Sequence, residues 1–374
     1  MQFEKIVGQN AIKNRLIQSV KENRISHAQL FTGKEGVGAL PLALAYLQMI
    51  FCENPTENDS CGVCSSCVKI QKASHPDIHF VFPYAKSKTE DNFNHHIAAF
   101  KEAMLHNTYL TKSDWEEHLG VENKILSIYT NDSDELNRVL ALKSYEGKYK
   151  VAVIWLADNM NTTTANKLLK ILEEPYPQTL FILIAESADK LLPTIISRTQ
   201  NIQIPAISDA DMKFALQKNY QLSSEAIDTI VALCEGNWNE AQKMSSGGFK
   251  NEYLQFFINW MRQLWKFEVT EIMLLMDSFV ALGREGQKNM FLYCLHLVRE
   301  CLLMNYSEVQ TGRANPEELV FLKKFFLYIN DNNVMDISKE FNEAIFHVER
   351  NANPKILFID LSAKLAKLLR QKSQ

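Results

Sequence analysis

No apolar run in this 374-residue chain approaches the ~20 residues that cross a bilayer; the best candidates, 40–52 and 180–185, stop well short, so no membrane span is expected. Charge of one sign is missing too. Forty Lys and Arg against 44 Asp and Glu leave a formal charge of −4. The surface as a whole is therefore no cationic field, and strong unaided DNA binding would need a local patch that composition does not show. The first 24 residues are punctuated by charges and lack the apolar core and small-residue cleavage site of a secretory signal, so the chain is expected to be cytoplasmic. No internal repeat or low-complexity segment is visible. What is present is an ordinary globular mixture, 46% hydrophobic and 22% charged, long enough for two or three domains.

Residues 10–22 place Ile12, Leu16, Ile17 and Val20 on one face at helical period. Residues 27–32 read as a short buried strand. Two further apolar, β-rich runs, 151–156 and 180–185, are each followed by a helical pattern, which predicts parallel strands with crossover helices. The first part is therefore α/β. Pro205 ends the last strand-like element, Asp209 opens a helix, and helical period then dominates to the end, which predicts an all-α remainder. Ser245-Ser246-Gly247-Gly248 punctuates that remainder. Residues 85–122, polar and rich in histidine, do not fit the α/β alternation and read as an insertion.

Four of the seven cysteines form Cys52-x8-Cys61-x2-Cys64-x2-Cys67, two overlapping C-x-x-C turns and one upstream thiol able to converge on a tetrahedral ion. Soft thiolates suit zinc, and four protein ligands leave no open position for catalysis, so the expected site is structural. Disulfides do not fit a chain without a secretory signal, and a redox pair needs only two of the four. Cys234, Cys294 and Cys301 lie in apolar helical patterns, where a thiol is a small hydrophobe. His75 and His79 follow the cluster closely, but four thiolates suffice and the histidines are read as structural; His95 and His96 are read as solvated.

After the first strand comes Gly33-Lys34-Glu35-Gly36-Val37-Gly38-Ala39-Leu40. The glycines keep the spacing of the phosphate-binding G-x-x-x-x-G-K-[ST], whose lysine reaches β/γ oxygens and whose hydroxyl holds magnesium. Ala39 and Leu40 stand in those two places and can do neither, while Lys34 is at the wrong end of the loop. The strand 151–154 runs into Trp155 and Leu156, where acidic residues would hold magnesium.

Several segments follow in a specific order. They are Ile6-Val7-Gly8-Gln9, His27-Ala28-x-Leu30-Phe31-x-Gly33, the cysteine module, His75-Pro76-Asp77, the run Asn166-Lys167-Leu168-Leu169-Lys170-Ile171-Leu172-Glu173-Glu174-Pro175, Ser197-Arg198 and Asn351-Ala352-Asn353-Pro354-Lys355. With them the chain resembles the delta-prime subunits of the bacterial DNA polymerase III clamp loader, in the AAA+ superfamily. The resemblance covers most of the chain apart from the insertion. There are departures: Thr199 replaces the family's cysteine after Arg198, Asp158 alone remains of the acidic strand motif, and Asn239 stands near where a nucleotide-sensing lid arginine would fall.

The resemblance implies an α/β AAA+-like parallel-sheet domain over 1–205, with the zinc module at 52–67 and the insertion near 85–122, a small helical lid over 206–247 and a helical collar over 248–374. It implies a subunit that binds no ATP in cis at its degenerate loop (Gly33, Gly36, Gly38, Ala39, Leu40) and has no intrinsic ATPase, within a DNA polymerase holoenzyme. Arg198, supported by Ser197, would act as an arginine finger on a neighbour's ATP, where a trans arginine is worth roughly 10³–10⁵ in rate; as a mere surface cation it would make an ion pair of ~0–1 kcal/mol. The implied partners are tau/gamma-like ATPase subunits and a delta-like subunit, with the sliding clamp and primed DNA reached through the complex. Two rivals stand beside this reading: a divergent active ATPase using Lys34, and a stand-alone zinc-dependent DNA-binding protein. The aromatic stretch Phe256, Phe257, Trp260, Trp265 and Phe267 could stack bases, but its helical spacing favours packing.

Overall fold

Burial on both faces is what the apolar runs require, and in the computed structural model they become the middle of one sheet. The described residues are 1–86, 93–121, 124–246, 252–266, 268–306, 314 and 316–371. The first elements are α1 (Asn10–Lys21), β1 (Ala28–Thr32), α2 (Ala39–Phe51), α3 (Ser65–Gln71), β2 (Ile78–Val81), α4 (Phe93–His106), α5 (Lys112–Leu119) and α6 (Thr130–Leu140). There follow β3 (Lys150–Trp155), α7 (Thr162–Glu173), β4 (Thr179–Ala185), α8 (Pro193–Ile196), β5 (Gln200–Gln203) and α9 (Asp209–Asn219). The remaining regular elements are α10 (Ser224–Cys234), α11 (Trp238–Ser246), α12 (Glu252–Lys266), α13 (Val269–Ala281), α14 (Gly283–Tyr306), α15 (Pro316–Phe325), α16 (Val334–Glu349) and α17 (Pro354–Leu368). The chain divides into two compact units, Met1–Met212 with Gly236–Asn239, and Lys213–Glu235 with Glu240–Gln374. Among the described residues no helix is long and apolar enough to cross a membrane.

The sheet order is β2-β3-β4-β1-β5, and every pairing is parallel. β1, β3 and β4 are buried at each position, which is why β3 and β4 read as apolar runs and not as alternating ones; β1 buries Gln29 and Thr32 among its apolar residues. The edge strand β5 (Gln-Asn-Ile-Gln) buries only Ile202. The register Thr32↔Ala185 and Thr32↔Gln203 brings the carboxyl ends of β4, β1 and β5 level, so the glycine loop after β1 opens at the edge of the sheet where parallel folds place their sites.

The stretch read as an insertion is a packed part of the first unit. Phe100 of α4 stacks on Phe82 (4.1 Å, 8°), both meet the edge of Trp115 of α5 at 5.5–5.6 Å, and the Trp115 indole N–H donates to the Pro83 carbonyl at 2.7 Å. His96, expected to be solvated, is half-buried and stacked on Tyr84 (4.8 Å); the ring offers apolar area that a helix face packed on the sheet can use, whereas His95 on the outer face is exposed. Glu122, the end of the expected insertion, lies outside the described residues.

The second unit has its own helical core. Trp260 stacks on Phe358 (4.7 Å) and donates to the Ser362 hydroxyl at 3.0 Å, and Phe279 lies 5.0 Å from both Phe291 and Phe358. Cys234, Cys294 and Cys301 are buried in this unit, and burial pushes all three thiols above their usual range. Phe257 and Trp260 are core residues; Trp265 is 49% exposed with Tyr328 at its edge, and Phe267, like Gly247 and Gly248, lies outside the described residues. Asn353 caps α17, its side-chain oxygen accepting from the amides of Lys355 and Ile356, with Pro354 at the first helical position. That is the physical content of the Asn-Pro-Lys run.

Candidate functional site

The glycine loop after β1 keeps a tight turn that only glycine allows. Gly36 adopts φ 71°, and a Cβ there would lie 1.6 Å from the Asn237 amide oxygen, so both the turn and the approach of residues 236–239 require glycine. The loop delivers the chain into α2 with Ala39 and Leu40 as its first residues. Leu40 is buried, and neither side chain offers a cation or a hydroxyl. Lys34 is exposed at the far end of the loop. Trp155 and Leu156 at the end of β3 are both buried. Asp158, the acid that remains, has both carboxylate oxygens buried without a hydrogen bond and lies 3.8 Å from Lys190, which also reaches Glu186 at 4.0 Å. The lysine supplies the positive charge that two nearby carboxylates need there.

Residues 107–112, between α4 and α5, close over the loop. The Val7 amide donates to the Tyr109 hydroxyl at 2.9 Å, a Cβ on Gly38 would touch the Tyr109 ring at 3.3 Å, and the Lys112 amide donates to Glu35 at 3.3 Å. Asn239 is fully buried: it accepts from Asn107 at 2.7 Å and donates to Asp114 at 2.8 Å, while the Trp238 amide donates to the Gly36 carbonyl at 3.0 Å. The cleft between loop, Trp155, Ala185 and this segment has a volume of about 40 Å³.

The four cysteines come together where α2 ends and α3 begins. Their sulfurs all lie within 4.8 Å of one another, and the Cys61 and Cys67 sulfurs are 3.9 Å apart. A tetrahedron with metal–sulfur bonds of ~2.3 Å has edges of roughly 3.8 Å, so the donor set fits such an ion. Gly62 turns the knuckle at φ 73°, and backbone amides of Cys61 and Cys64 point at the sulfurs of Cys52 and Cys61 at 3.2 and 3.3 Å. Amides of Val63 and Cys64 bring Cys61 down to about 6, whereas burial raises Cys52 and Cys67. The cluster can hold a metal ion. His75 is no part of it: the ring packs edge-on to Phe51 (4.6 Å), its Nδ1 accepts the Asp77 amide at 3.2 Å, and burial lowers its pKa. Burial likewise lowers His79.

Asp77 is buried, which raises its pKa, but the amides of Tyr145, Glu146 and Gly147 at 2.5, 2.8 and 2.7 Å outweigh that and hold it below the usual carboxylate range. Sequence reading singled out this aspartate without finding that it ties down the turn before β3. Arg198 follows α8 and is 36% exposed; its guanidinium pairs with Glu173 of α7 at 2.6 Å and donates to the Thr194 carbonyl at 3.0 Å and the Ser197 hydroxyl at 3.4 Å. The Thr199 hydroxyl donates to the Ile195 and Ile196 carbonyls at 3.0 and 3.2 Å, which anchors the turn that carries the arginine. The roles of Glu173, Tyr109 and Asn107 were missed, because each acts through a partner distant in sequence that leaves no local pattern.

The family described as DNA polymerase III, delta subunit, matches residues 8–208. Among curated proteins, DNA polymerase III subunit delta' of Bacillus subtilis (strain 168) is 31% identical over 195 residues, 52% of this chain and 46% of that protein. Subunit delta' of Pseudomonas aeruginosa is 25% identical over 232 residues, 62% of this chain and 59% of that protein. DNA polymerase III subunit gamma/tau of Mycobacterium tuberculosis (strain H37Rv) is 26% identical over 230 residues, 61% of this chain and 33% of that protein. The chain spans about half the length of the curated delta' relatives it matches.

Proposed function

The chain belongs to the DNA polymerase III delta-subunit family as a delta-prime-like clamp-loader subunit, and from that premise we propose that it hydrolyses no ATP itself and works through its neighbours. The observation that carries this reading is the start of α2, where Ala39 and Leu40 occupy the places of the phosphate-binding lysine and the magnesium-binding hydroxyl. Trp155 and Leu156 support it from the opposite wall. Polarising the γ-phosphate takes a cation and a metal ligand at the end of the loop, and Ala39 and Leu40 present neither.

Arg198 is the complementary half of the proposal. Its guanidinium is reachable from solvent and held by Glu173 and the Thr194 carbonyl, an arrangement suited to presenting a fixed positive charge to the phosphate of an adjacent ATPase subunit. Such a group acts where charge spreads over the transferred phosphoryl, so it affects turnover more than nucleotide affinity. Ser197 supports the arginine by accepting one of its hydrogen bonds. The cysteine cluster holds one structural zinc, which pins the end of α2 to α3; all four positions are protein thiolates, so the ion takes no part in chemistry. Through tau/gamma-like and delta-like partners the chain helps to place a sliding clamp on primed DNA.

Equilibrium binding of labelled ATP to the purified, zinc-loaded chain tests the first half, with an ATPase subunit as positive control. No binding is expected; micromolar magnesium-dependent binding would overturn it. Arg198→Ala tests the second half: the chain stays folded, and ATP turnover of the assembled loader drops at least ~100-fold, below the usual size of a trans-arginine effect but well clear of ordinary surface substitutions. Unchanged turnover would remove Arg198 from the mechanism.

A further inference from the structure

The cleft at the glycine loop is filled by the chain's own residues. A volume of about 40 Å³ accommodates a few waters, whereas pockets for molecules of nucleotide size run to about 300 Å³ or more. The space is taken by Tyr109, buried against the loop with its hydroxyl fixed by the Val7 amide and its ring edge-on to Trp238 at 6.5 Å. Burial raises its pKa, so the phenol stays neutral at physiological pH.

The segment is also tied at both ends. Asn107 and Asp114 grip the buried Asn239 amide from two sides, Thr111 and Asp114 form a capping box that starts α5, and the Lys112 amide bonds to Glu35 of the loop itself. Asn239 neighbours Trp238, whose amide bonds the Gly36 carbonyl. The loop, residues 107–114 and residues 236–239 thus form one hydrogen-bonded knot.

We propose that residues 107–112 are a built-in plug: they occupy the former nucleotide cleft as an intramolecular ligand, led by Tyr109, and bind residues 236–239 to the glycine loop without ATP. This deepens the reading of a chain that binds no nucleotide in cis and rests on it. The loss of lysine and hydroxyl at 39 and 40 removes affinity; the plug removes the space, and each weakens ATP binding by itself.

The two barriers are separable by restoring one at a time and measuring magnesium–ATP binding by calorimetry. The wild-type chain, Ala39→Lys/Leu40→Thr, and the same pair with Tyr109→Ala/Asn107→Ala are compared after circular dichroism shows each to be folded. The restored pair alone should bind at least ~100-fold more weakly than the opened quadruple variant, the reduction expected if the plug is out in about one molecule in a hundred. Equal affinity of the two, including no affinity in either, would overturn the plug. Binding by the wild-type chain would instead overturn the non-hydrolysing reading, so the two failures are distinct. A substitution that leaves ring packing intact provides a second readout. Tyr109→Phe should speed hydrogen exchange at the Val7 amide by about tenfold, the order set by one hydrogen bond, and unchanged protection would show that the hydroxyl does not hold the segment in place.

Discussion

A carboxylate that accepts three backbone amides cannot be replaced by a side chain with fewer acceptors without stranding donors. Asp77→Ala should therefore cost about 2–4 kcal/mol in urea unfolding, since hydrogen bonds to a charged group contribute ~1.5–3 kcal/mol each and are not additive. Its pKa is held below the usual range, so its contribution is complete above the unfolded value of about 3.9 and is lost as pH falls through the folded value. Acid titration of the wild type should show this loss below about pH 4, and Asp77→Asn should flatten that part of the curve. Glu173 presents the opposite case. The Glu173–Arg198 pair is partly solvated, so Glu173→Gln should change stability by less than ~1 kcal/mol. If Glu173 orients the arginine, its effect on turnover of the assembled loader should vanish in an Arg198→Ala background; additive effects in that double-mutant cycle would make the pair ornamental.

At the level of elements, α17 depends on its cap and the junction of α2 and α3 on its cysteines. Asn353→Ala at the start of α17 should lose about 1 kcal/mol, readable as a shift of the denaturant midpoint at unchanged slope. Zinc analysis should return one ion per chain, and Cys67→Ser or chelation should remove it and lower the thermal midpoint, with protons released on reloading because the buried thiols must ionise. The same elements display how far sequence reading reached. β3 and β4 were legible because strands buried on both faces leave long apolar runs, β1 was a shorter buried run interrupted by Gln29, and the cysteine spacing pointed to a shared ion. β5 carries no such run, since Gln200, Asn201 and Gln203 face solvent at the sheet edge. The helices α4 and α5 differ: α5 buries Trp115 alone in a polar background, whereas α4 buries Phe93, Phe100, Ala103 and Met104, a helical spacing that its histidines and neighbouring polar residues masked. The proposed plug left no local pattern, because Asn107 and Asn239, like Tyr109 and Val7, meet only in three dimensions.

At the scale of the molecule, linkage offers a test that needs no label. A ligand present at 100 times its dissociation constant stabilises a protein by ~2.7 kcal/mol, so a nucleotide-binding chain would show a raised thermal midpoint with millimolar ATP. No shift is expected here, while zinc should produce one. The parallel sheet has another consequence, which concerns the ribosome. Within the sheet β1 pairs with β4 and β5 and with no strand nearer in sequence, so its backbone emerges about 150 residues before its first strand partner. At 5–20 residues per second that is an interval of roughly 8–30 s in which β1 waits in the nascent chain without a neighbouring strand. Until Ala185 has cleared the exit tunnel, the hydrogen-bonding edges of β1 have no complete strand to meet.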